Sequence, residues 1–421
     1  MAERDQGIFN ELYGYDNKVF SYQTRRYKKL LTTFKKLFKA KSVNLFSTPG
    51  RTELGGNHTD HNHGLVLAGA VNLDTIAAAQ PVSESVVTIS SEGYSSLFII
   101  SLDNLTPVTG EEKTTSALIR GIAYKLKDLG YHIGGFNAYI TSDVFVGSGL
   151  SSSASIEILI VNIFNYFYNN GQIPHEIIAR IAQYAENVYF GKPCGLMDQI
   201  ACATGGIVKI DFRNSQNPQI SRVNFEFDSV GFHLIVVNTG GNHADLTDEY
   251  SSIPLEMKSV ASFFNKTVCR DLNLDEVFDN ITSLRESVGD RAILRALHFF
   301  RENERVAGMV QALDSGNIDQ FLRLINQSGD SSFKWLQNTY TSQNPSMQGI
   351  SLALALTKEF LDSRRIPGAC RVHGGGFAGT IQTVLPDDFV REYKNYMDSI
   401  FGKGAAQLLT IRNRGTCFWE I

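Results

Sequence analysis

Apolar residues recur at two spacings along the chain, and these spacings predict a mixture of helices and strands. A spacing of three and four residues, typical of a helix with one buried face, runs through residues 27–38, 116–129 and 156–167. Runs rich in β-branched residues predict strands in VNLFSTPG, LVLAGAVNLDTIAAAQ, SVVTIS, LFIISL, GGIVKIDF and FHLIVVNTG. A helix over 387–401 and a final strand from Gln407 end the second half. The pattern predicts an α+β protein.

A polar, turn-prone stretch, SQNPQ at residues 215–219, interrupts the pattern near the middle of the chain. A chain of 421 residues with 43% hydrophobic content is long enough for two domains with large cores. We therefore predict an N-terminal domain over 1–220 and a C-terminal domain over 221–421.

Composition excludes several classes of protein. The net charge of −4 gives no reason to expect nucleic acid or an anionic membrane as a partner. No run of 18 apolar residues is present, and the five cysteines contain no C-x-x-C pair, so we expect neither a membrane span nor a disulfide framework nor a zinc cluster. The basic stretch at 25–41 follows acidic residues, which favours a solvated helix face over a transit peptide. A cytoplasmic protein is expected.

The segment VGSGLSSSAS at residues 146–155 predicts a phosphate site. Its glycines allow close approach of the backbone, and its serines lie where the helix over 156–167 should begin, so that free N–H groups and hydroxyls face an anion. A plain Gly/Ser turn is the alternative. The residues expected to contact phosphate are Gly147, Ser148, Gly149, Leu150, Ser151, Ser152 and Ser153.

A second glycine-rich segment, VHGGGFAGT at residues 372–380, matches G-x-G-x-x-G and invites a dinucleotide-binding interpretation. That interpretation needs a following helix, whereas TIQTVL is rich in β-branched residues. We therefore predict a glycine loop between two strands, with Gly374, Gly375 and Gly376 as a second phosphate cradle. The chain lacks a P-loop signature and the H-R-D and D-F-G motifs of protein kinases.

A third segment, STPGRTELGGNHTDHNHG at residues 47–64, resembles the sugar-binding signature of galactokinases. The three segments occur in that family's order, and the resemblance covers nearly the whole chain. It implies membership in the superfamily of galacto-, homoserine, mevalonate and phosphomevalonate (GHMP) kinases. The implied fold has two domains, with mixed sheets covered by helices and the active site in the cleft between them. The implied reaction converts galactose and ATP into galactose 1-phosphate and ADP.

The resemblance also implies the catalytic residues. Asp198 in PCGLMDQ matches the family's catalytic aspartate, as a base or an electrostatic anchor, and Arg51 matches the arginine that would keep it ionised. Without the motif, Asp198 would read as a helix cap. Glu186 matches the family's magnesium-linked glutamate, with a hydroxyl from Ser152 in preference to Ser153. A surface helical glutamate is the alternative for Glu186.

The remaining matches concern the sugar. Asn57, His58, Asp60, Cys194, Gly195 and Tyr250 correspond to sugar-pocket positions of the family. Asn57 stands where the family usually has a glutamate near the sugar's C6 hydroxyl, so the alternative substrate is a C6-modified relative such as galacturonate. The histidines of HTDHNH are a weak zinc signal. A non-catalytic galactose and ATP sensor is the alternative from another class, and a monomer is favoured over an oligomer.

Overall fold

A computed structural model of the protein describes residues 3–40, 42–144, 149–241, 246–341 and 343–420. The strands are β1 (Asn44–Gly55), β2 (Leu65–Pro81), β3 (Val86–Ser91), β4 (Phe98–Ser101), β5 (Phe136–Ser142), β6 (Ile207–Asp211), β7 (Gln219–Val223), β8 (Phe232–Asn238), β9 (Ala369–His373), β10 (Thr380–Pro386), β11 (Ala406–Leu409) and β12 (Cys417–Glu420). The helices are α1 (Glu3–Tyr13), α2 (Asn17–Phe38), α3 (Thr115–Asp128), α4 (Ser152–Asn169), α5 (His175–Tyr184), α6 (Met197–Thr204), α7 (Thr247–Phe263), α8 (Leu274–Asp279), α9 (Ile281–Ser287), α10 (Asp290–Asp314), α11 (Ile318–Ser331), α12 (Gly349–Arg364) and α13 (Asp387–Phe401). Among these helices none is long and apolar enough to cross a membrane.

The first sheet contains β12, β1, β2, β5, β3 and β4 in that order, with β6 and β7 added beside β2. The length of β2, 17 residues, allows this branching, because residues 65–69 pair with β6 and residues 75–81 pair with β5. β3 runs parallel to β5, whereas the other pairs recorded in this sheet are antiparallel. The sheet is therefore mixed, as predicted.

Helices cover both faces of the first sheet. Side chains of α3, α4, α5 and α6 pack on one face, and α1 and α2 pack on the other. α2 shows how the sequence produces this, because Tyr27, Leu30 and Phe34 recur at helical spacing and are fully buried. Its first turn is capped by Asp16, whose carboxylate accepts the N–H groups of Lys18 and Val19.

The second sheet has the order β11-β8-β10-β9 and is antiparallel. α12 and α13 pack on one face, and α10 and α11 pack on the other together with Leu54 and Leu67 of the first sheet. β9 and β10 are paired neighbours, and residues 374–379 form the loop that joins them. The predicted glycine loop between two strands is confirmed.

The end of the chain differs from the sequence prediction. We expected one final strand from Gln407, but the structure has two short strands in different sheets. β11 pairs with β8 in the second sheet, and β12 pairs with β1 at the edge of the first. Residues 406–420 thus run from one sheet to the other and tie the two together.

A buried ionic cluster around Asp74 holds these elements in place. The Asp74 carboxylate, on β2, accepts hydrogen bonds from Tyr13 Oη at 2.6 Å, Arg26 Nη1 at 2.5 Å and Arg412 Nη1 at 3.1 Å, and also from Ser47 Oγ. Burial would raise the pKa of Asp74, but Arg26 and Arg412 outweigh burial and hold it below its ordinary value. The cluster therefore joins α1, α2, β1 and the segment before β12 to the centre of the sheet.

Replacing Asp74 tests this anchor. We expect Asp74→Ala to reduce the free energy of unfolding by about 3–5 kcal/mol, because it leaves the charges of Arg26 and Arg412 buried without their partner. Urea denaturation followed by circular dichroism measures the change. Asp362→Ala, which removes the partner of Lys358 from an exposed pair on α12, is the matched control and should cost less than about 1 kcal/mol. Equal effects of the two substitutions would contradict the anchoring role.

Candidate active site

The N-terminus of α4 is built as the sequence predicts, with one difference at its first serine. Ser151 occupies the N-cap position with φ of 58°, and its hydroxyl makes no capping bond; it donates instead to the Asp198 carboxylate. The N–H groups of the first turn therefore have no side-chain cap, which leaves them available to an anion. Leu150 is buried, and its carbonyl oxygen accepts the N–H of Arg51 at 3.0 Å. Gly147 and Ser148 lie outside the described residues.

Arg51 and Asp198 form a two-point ion pair at this helix terminus. Arg51 Nε lies 2.7 Å from Asp198 Oδ1, and Arg51 Nη2 lies 3.0 Å from Asp198 Oδ2. Arg51 also donates from Nη1 to the carbonyl oxygen of Gly149. Burial would raise the pKa of Asp198, but the guanidinium of Arg51 outweighs burial and holds it below its ordinary value. Asp198 is therefore a carboxylate at neutral pH.

A second carboxylate, Glu186, lies beside the first turn of α4. It is 2% exposed, which excludes the surface-glutamate alternative. Ser153 Oγ lies 3.3 Å from Glu186 Oε1, so the serine that contacts Glu186 is Ser153. The expected magnesium ligand Ser152 stays a prediction. Lys192 Nζ donates to the same oxygen at 2.9 Å, and Gln199 Nε2 donates to the other at 3.0 Å. Within the described residues no group of three or more His, Cys, Asp or Glu side chains is placed to hold a metal ion.

The sugar-signature loop folds against the PCGLMDQ segment. A Cβ atom on Gly195 would lie 1.9 Å from Asp60 Oδ2, so only glycine allows this carboxylate to approach the backbone so closely. Cys194 is held by its backbone, whose N–H donates to Asn187 Oδ1 at 2.7 Å. Burial lowers the pKa of His58 to about 4, so His58 is neutral at physiological pH. The contact between Asp60 and Gly195 therefore brings the sugar-signature loop to the segment that leads into Asp198.

The glycine loop between β9 and β10 closes the other side. Tyr250 Oη donates to the carbonyl oxygen of Gly376 at 2.9 Å, and a Cβ atom on Gly375 would lie 2.5 Å from the Tyr250 ring. His58 Nε2 lies 2.9 Å from the carbonyl oxygen of Gly375. Asn57 is 1% exposed and also contacts this loop, through a 2.7 Å hydrogen bond to the carbonyl oxygen of Gly374. Three of the predicted sugar residues, Asn57, His58 and Tyr250, are thus in direct contact with the second predicted phosphate cradle.

Several site residues were not predicted from the sequence. Lys192 and Gln199 contact Glu186, and Glu157 lies behind them with its pKa raised by burial and by the charge of Glu186. His373 contacts Thr52, the N–H of Glu53 and Thr380. Gln199 directly follows Asp198 in PCGLMDQ, so the motif itself could have indicated it. No motif indicates the contacts of His373 in the same way. Apart from Thr380, its partners are more than 300 residues away along the chain.

Two of the segments that form this site lie within regions that match models of known protein families. The model of the galactokinase galactose-binding signature matches residues 32–81, and the model of the GHMP kinases N-terminal domain matches residues 117–206. A galactokinase of Streptomyces coelicolor is 30% identical over 290 residues, which cover 68% of this chain and 72% of that protein. The chain belongs to the galactokinase family. The predicted family and the predicted type of enzyme, an ATP-dependent sugar kinase, are confirmed.

Solved structures of this superfamily have the same fold. The crystal structure of Lactococcus lactis galactokinase complexed with galactose superposes with a TM-score of 0.78 at 24% identity, over 93% of this chain and 99% of that one. Methanococcus jannaschii mevalonate kinase superposes with a TM-score of 0.59 at 14% identity, over 89% and 96% of the two chains. The predicted α+β GHMP-kinase-like fold is confirmed.

Replacing Asp198 tests the role of its ion pair with Arg51 in this galactokinase-family site. We expect Asp198→Ala to reduce turnover by roughly 10² to 10⁴ while galactose binding is retained, because the substitution removes the charge that we predict to act on the reacting hydroxyl. Steady-state kinetics and calorimetry with galactose measure the two effects. Asp290→Ala is the matched control, since Asp290 pairs with Arg285 through the same two nitrogens on the surface. Turnover of Asp198→Ala within a few-fold of the wild type would remove Asp198 from catalysis.

Proposed function

We propose that this chain transfers the γ-phosphoryl group of ATP to the anomeric hydroxyl of galactose. One observation carries the proposal: the Asp198 carboxylate, paired with Arg51, lies where the N-terminus of α4 meets the sugar-signature loop. Phosphoryl transfer needs few reacting protein groups, because positioning and charge stabilisation supply most of the rate. A fixed anion between a sugar pocket and a helix N-terminus meets that need.

In the proposed reaction the C1 oxygen of the sugar attacks the γ-phosphorus, and the bond from that phosphorus to the β–γ bridging oxygen breaks. Asp198 accepts the hydrogen bond of the C1 hydroxyl and so directs its oxygen toward phosphorus. Its lowered pKa makes it a weak base, which favours transfer of the C1 hydroxyl proton to the Asp198 carboxylate only as the new P–O bond forms. Arg51 keeps Asp198 ionised and adds positive charge beside the transferred group.

The proposed ATP site is formed by residues 149–153 at the α4 N-terminus and by Gly374, Gly375 and Gly376. Glu186 and the hydroxyls of Ser152 and Ser153 would hold Mg²⁺, since they offer the hard oxygen donors it prefers. Lys192 now neutralises Glu186, and its side chain is 59% exposed, so it can move away when a cation arrives. Magnesium, when bound, would offset the negative charge of the phosphates.

For the sugar we propose His58, Asp60, Cys194, Gly195 and Tyr250 as pocket residues. Galactose is favoured over galacturonate, because both N–H donors of the Asn57 amide are used within the protein and are not available to a C6 carboxylate. Catalysis is favoured over a sensor role, because Arg51, Asp198 and the serines of the α4 N-terminus are all in place.

A substrate panel tests the proposed sugar. We expect the specificity constant kcat/KM for galactose to exceed those for galacturonate and N-acetylgalactosamine by at least about tenfold, the usual discrimination of a pocket shaped for one ligand. Transfer of ³²P from labelled ATP to each sugar measures it. A galacturonate value well above that of galactose would replace the proposed substrate, and binding of galactose without any transfer would identify a sensor.

Replacing both serines tests the proposed nucleotide site. We expect Ser152→Ala with Ser153→Ala to weaken ATP binding in the presence of Mg²⁺ at least about tenfold, because two hydroxyl ligands are lost, while galactose binding is retained. Isothermal titration calorimetry with a non-hydrolysable ATP analogue measures both. Ser399→Ala on the exposed face of α13 is the control. Unchanged nucleotide affinity in the double variant would show that phosphate binds elsewhere.

A further inference from the structure

Three consecutive carbonyl groups of the glycine loop are held by side chains from the sugar side of the site. Asn57 Nδ2 donates to the Gly374 oxygen at 2.7 Å, and Tyr250 Oη donates to the Gly376 oxygen at 2.9 Å. The Gly375 oxygen is shared, with His58 Nε2 at 2.9 Å and Asn338 Nδ2 at 3.1 Å. In a peptide group the N–H lies opposite the C=O. The N–H groups of Gly375 and Gly376 therefore point away from the side chains that hold the carbonyl groups of Gly374 and Gly375.

The backbone of Asn338 completes this support. Its carbonyl oxygen accepts the N–H of Phe377 at 2.5 Å, just after the three glycines. A Cβ atom on Gly376, where φ is 84°, would lie 2.0 Å from that same oxygen, so the loop can rest there only as glycine. The conformation of the glycine loop thus depends on the residues that are packed against it, Asn338 among them.

Asn57 is the most constrained of these residues. Its amide nitrogen donates to Glu53 Oε1 at 3.0 Å as well as to Gly374, and its Oδ1 accepts from Asn338 Nδ2 at 2.8 Å and Ser332 Oγ at 3.4 Å. Because a carboxylate and a carbonyl can only accept, these partners define which end of the amide is the donor. No donor or acceptor of the side chain remains unused.

Glu53 connects this amide to the second sheet. Its carboxylate pairs with Arg371 Nη2 at 2.5 Å, and both side chains are buried. Arg371 lies on β9, three residues before Gly374. The glycine loop is therefore held from the strand that leads into it, through Arg371 and Glu53, and from its first carbonyl, through Asn57.

We propose that Asn57, although it lies in the sugar signature, is a positioning residue for the nucleotide. It holds Gly374 so that the N–H groups of Gly375 and Gly376 face the phosphates. The inference rests on the proposed function only in taking this loop as part of the ATP site. The proposed role of Asn57 differs from the role that its position in the sugar signature implies, which is contact with the sugar near C6.

The test compares nucleotide and sugar binding in Asn57→Asp, which keeps the shape of the side chain but cannot donate and adds a carboxylate beside Glu53. Calorimetry with Mg²⁺ and a non-hydrolysable ATP analogue is done without any sugar, and steady-state kinetics give KM for each substrate. We expect the nucleotide Kd to rise at least about tenfold, as for a buried hydrogen bond that is lost, and the KM for galactose to change less than about twofold.

Two further variants make the result specific. Asn338→Ala removes the donor to both Asn57 and Gly375 from outside any sugar motif, and it should weaken nucleotide binding in the same way. Asn326→Ala is the matched control, because Asn326 also bonds the backbone around β9, at Gly368 and Cys370, but at the end away from the loop. Thermal unfolding of each variant identifies any that do not fold. If Asn57→Asp does not fold, nucleotide binding by Asn338→Ala decides whether the proposal stands.

The outcomes separate this proposal from the proposed function. A raised galactose KM with nucleotide Kd within twofold of the wild type would overturn it and make Asn57 a sugar ligand. An equal loss of nucleotide affinity in Asn326→Ala would also overturn it. If the wild type does not phosphorylate galactose but Asn57→Asp still weakens nucleotide binding, the positioning role stands and only the proposed substrate fails.

Discussion

The arrangement of the site depends on one buried positive charge. Arg51 is 6% exposed on β1, and a guanidinium taken out of water is stable only if it is paired and its N–H groups are bonded. Asp198, at the start of α6, supplies the pair, and the carbonyl oxygen of Gly149 takes a further N–H. The starts of α4 and α6 are consequently held at one point of the first sheet. The proposed transfer of a phosphoryl group takes place beside that point.

Behind the site, charge is balanced by a second layer of buried ionic groups. Glu53 pairs with Arg371, and Glu302 pairs with Arg305 and accepts a bond from Ser328. Burial opposes ionisation of Glu302, but its cationic neighbours hold its pKa at about 2. His298 nearby stays neutral, with a pKa that burial lowers to about 4. The layer behind the site loops therefore carries these charges in pairs.

Local patterns predicted most of the fold, because they depend on neighbours in sequence. The helix over 387–401 was predicted at the bounds of α13, and the β-branched run after Gly379 gave the second strand of the glycine loop. The strand predicted from Gln407 corresponds to β11, but β12 was not predicted, because the division into two strands depends on two edges that other parts of the chain provide. Pairing of that kind leaves no periodic signal.

The same difference between local patterns and long-range contacts applies to the candidate site. Motifs indicated Arg51, Asp198 and Glu186, whereas the bond from Ser151 to Asp198 could not be predicted, because serines at this position ordinarily cap their own helix. The sequence likewise placed Asn57 in the sugar signature but did not reveal its bonds to Gly374 and Asn338, which are 317 and 281 residues away. A motif identifies which residues are present, but it does not show which way each side chain points.

The electrostatics bear on how Asp198 acts in the proposed reaction. A general base works best when its pKa is near the working pH, and Arg51 moves the pKa of Asp198 in the opposite direction. In a loose transition state the attacking hydroxyl gains acidity only as its bond to phosphorus forms. An anion that is already in place, and that costs no reorganisation, stabilises that late charge better than a base that must first lose its own proton. The ion pair is therefore better suited to orienting the hydroxyl than to removing its proton early.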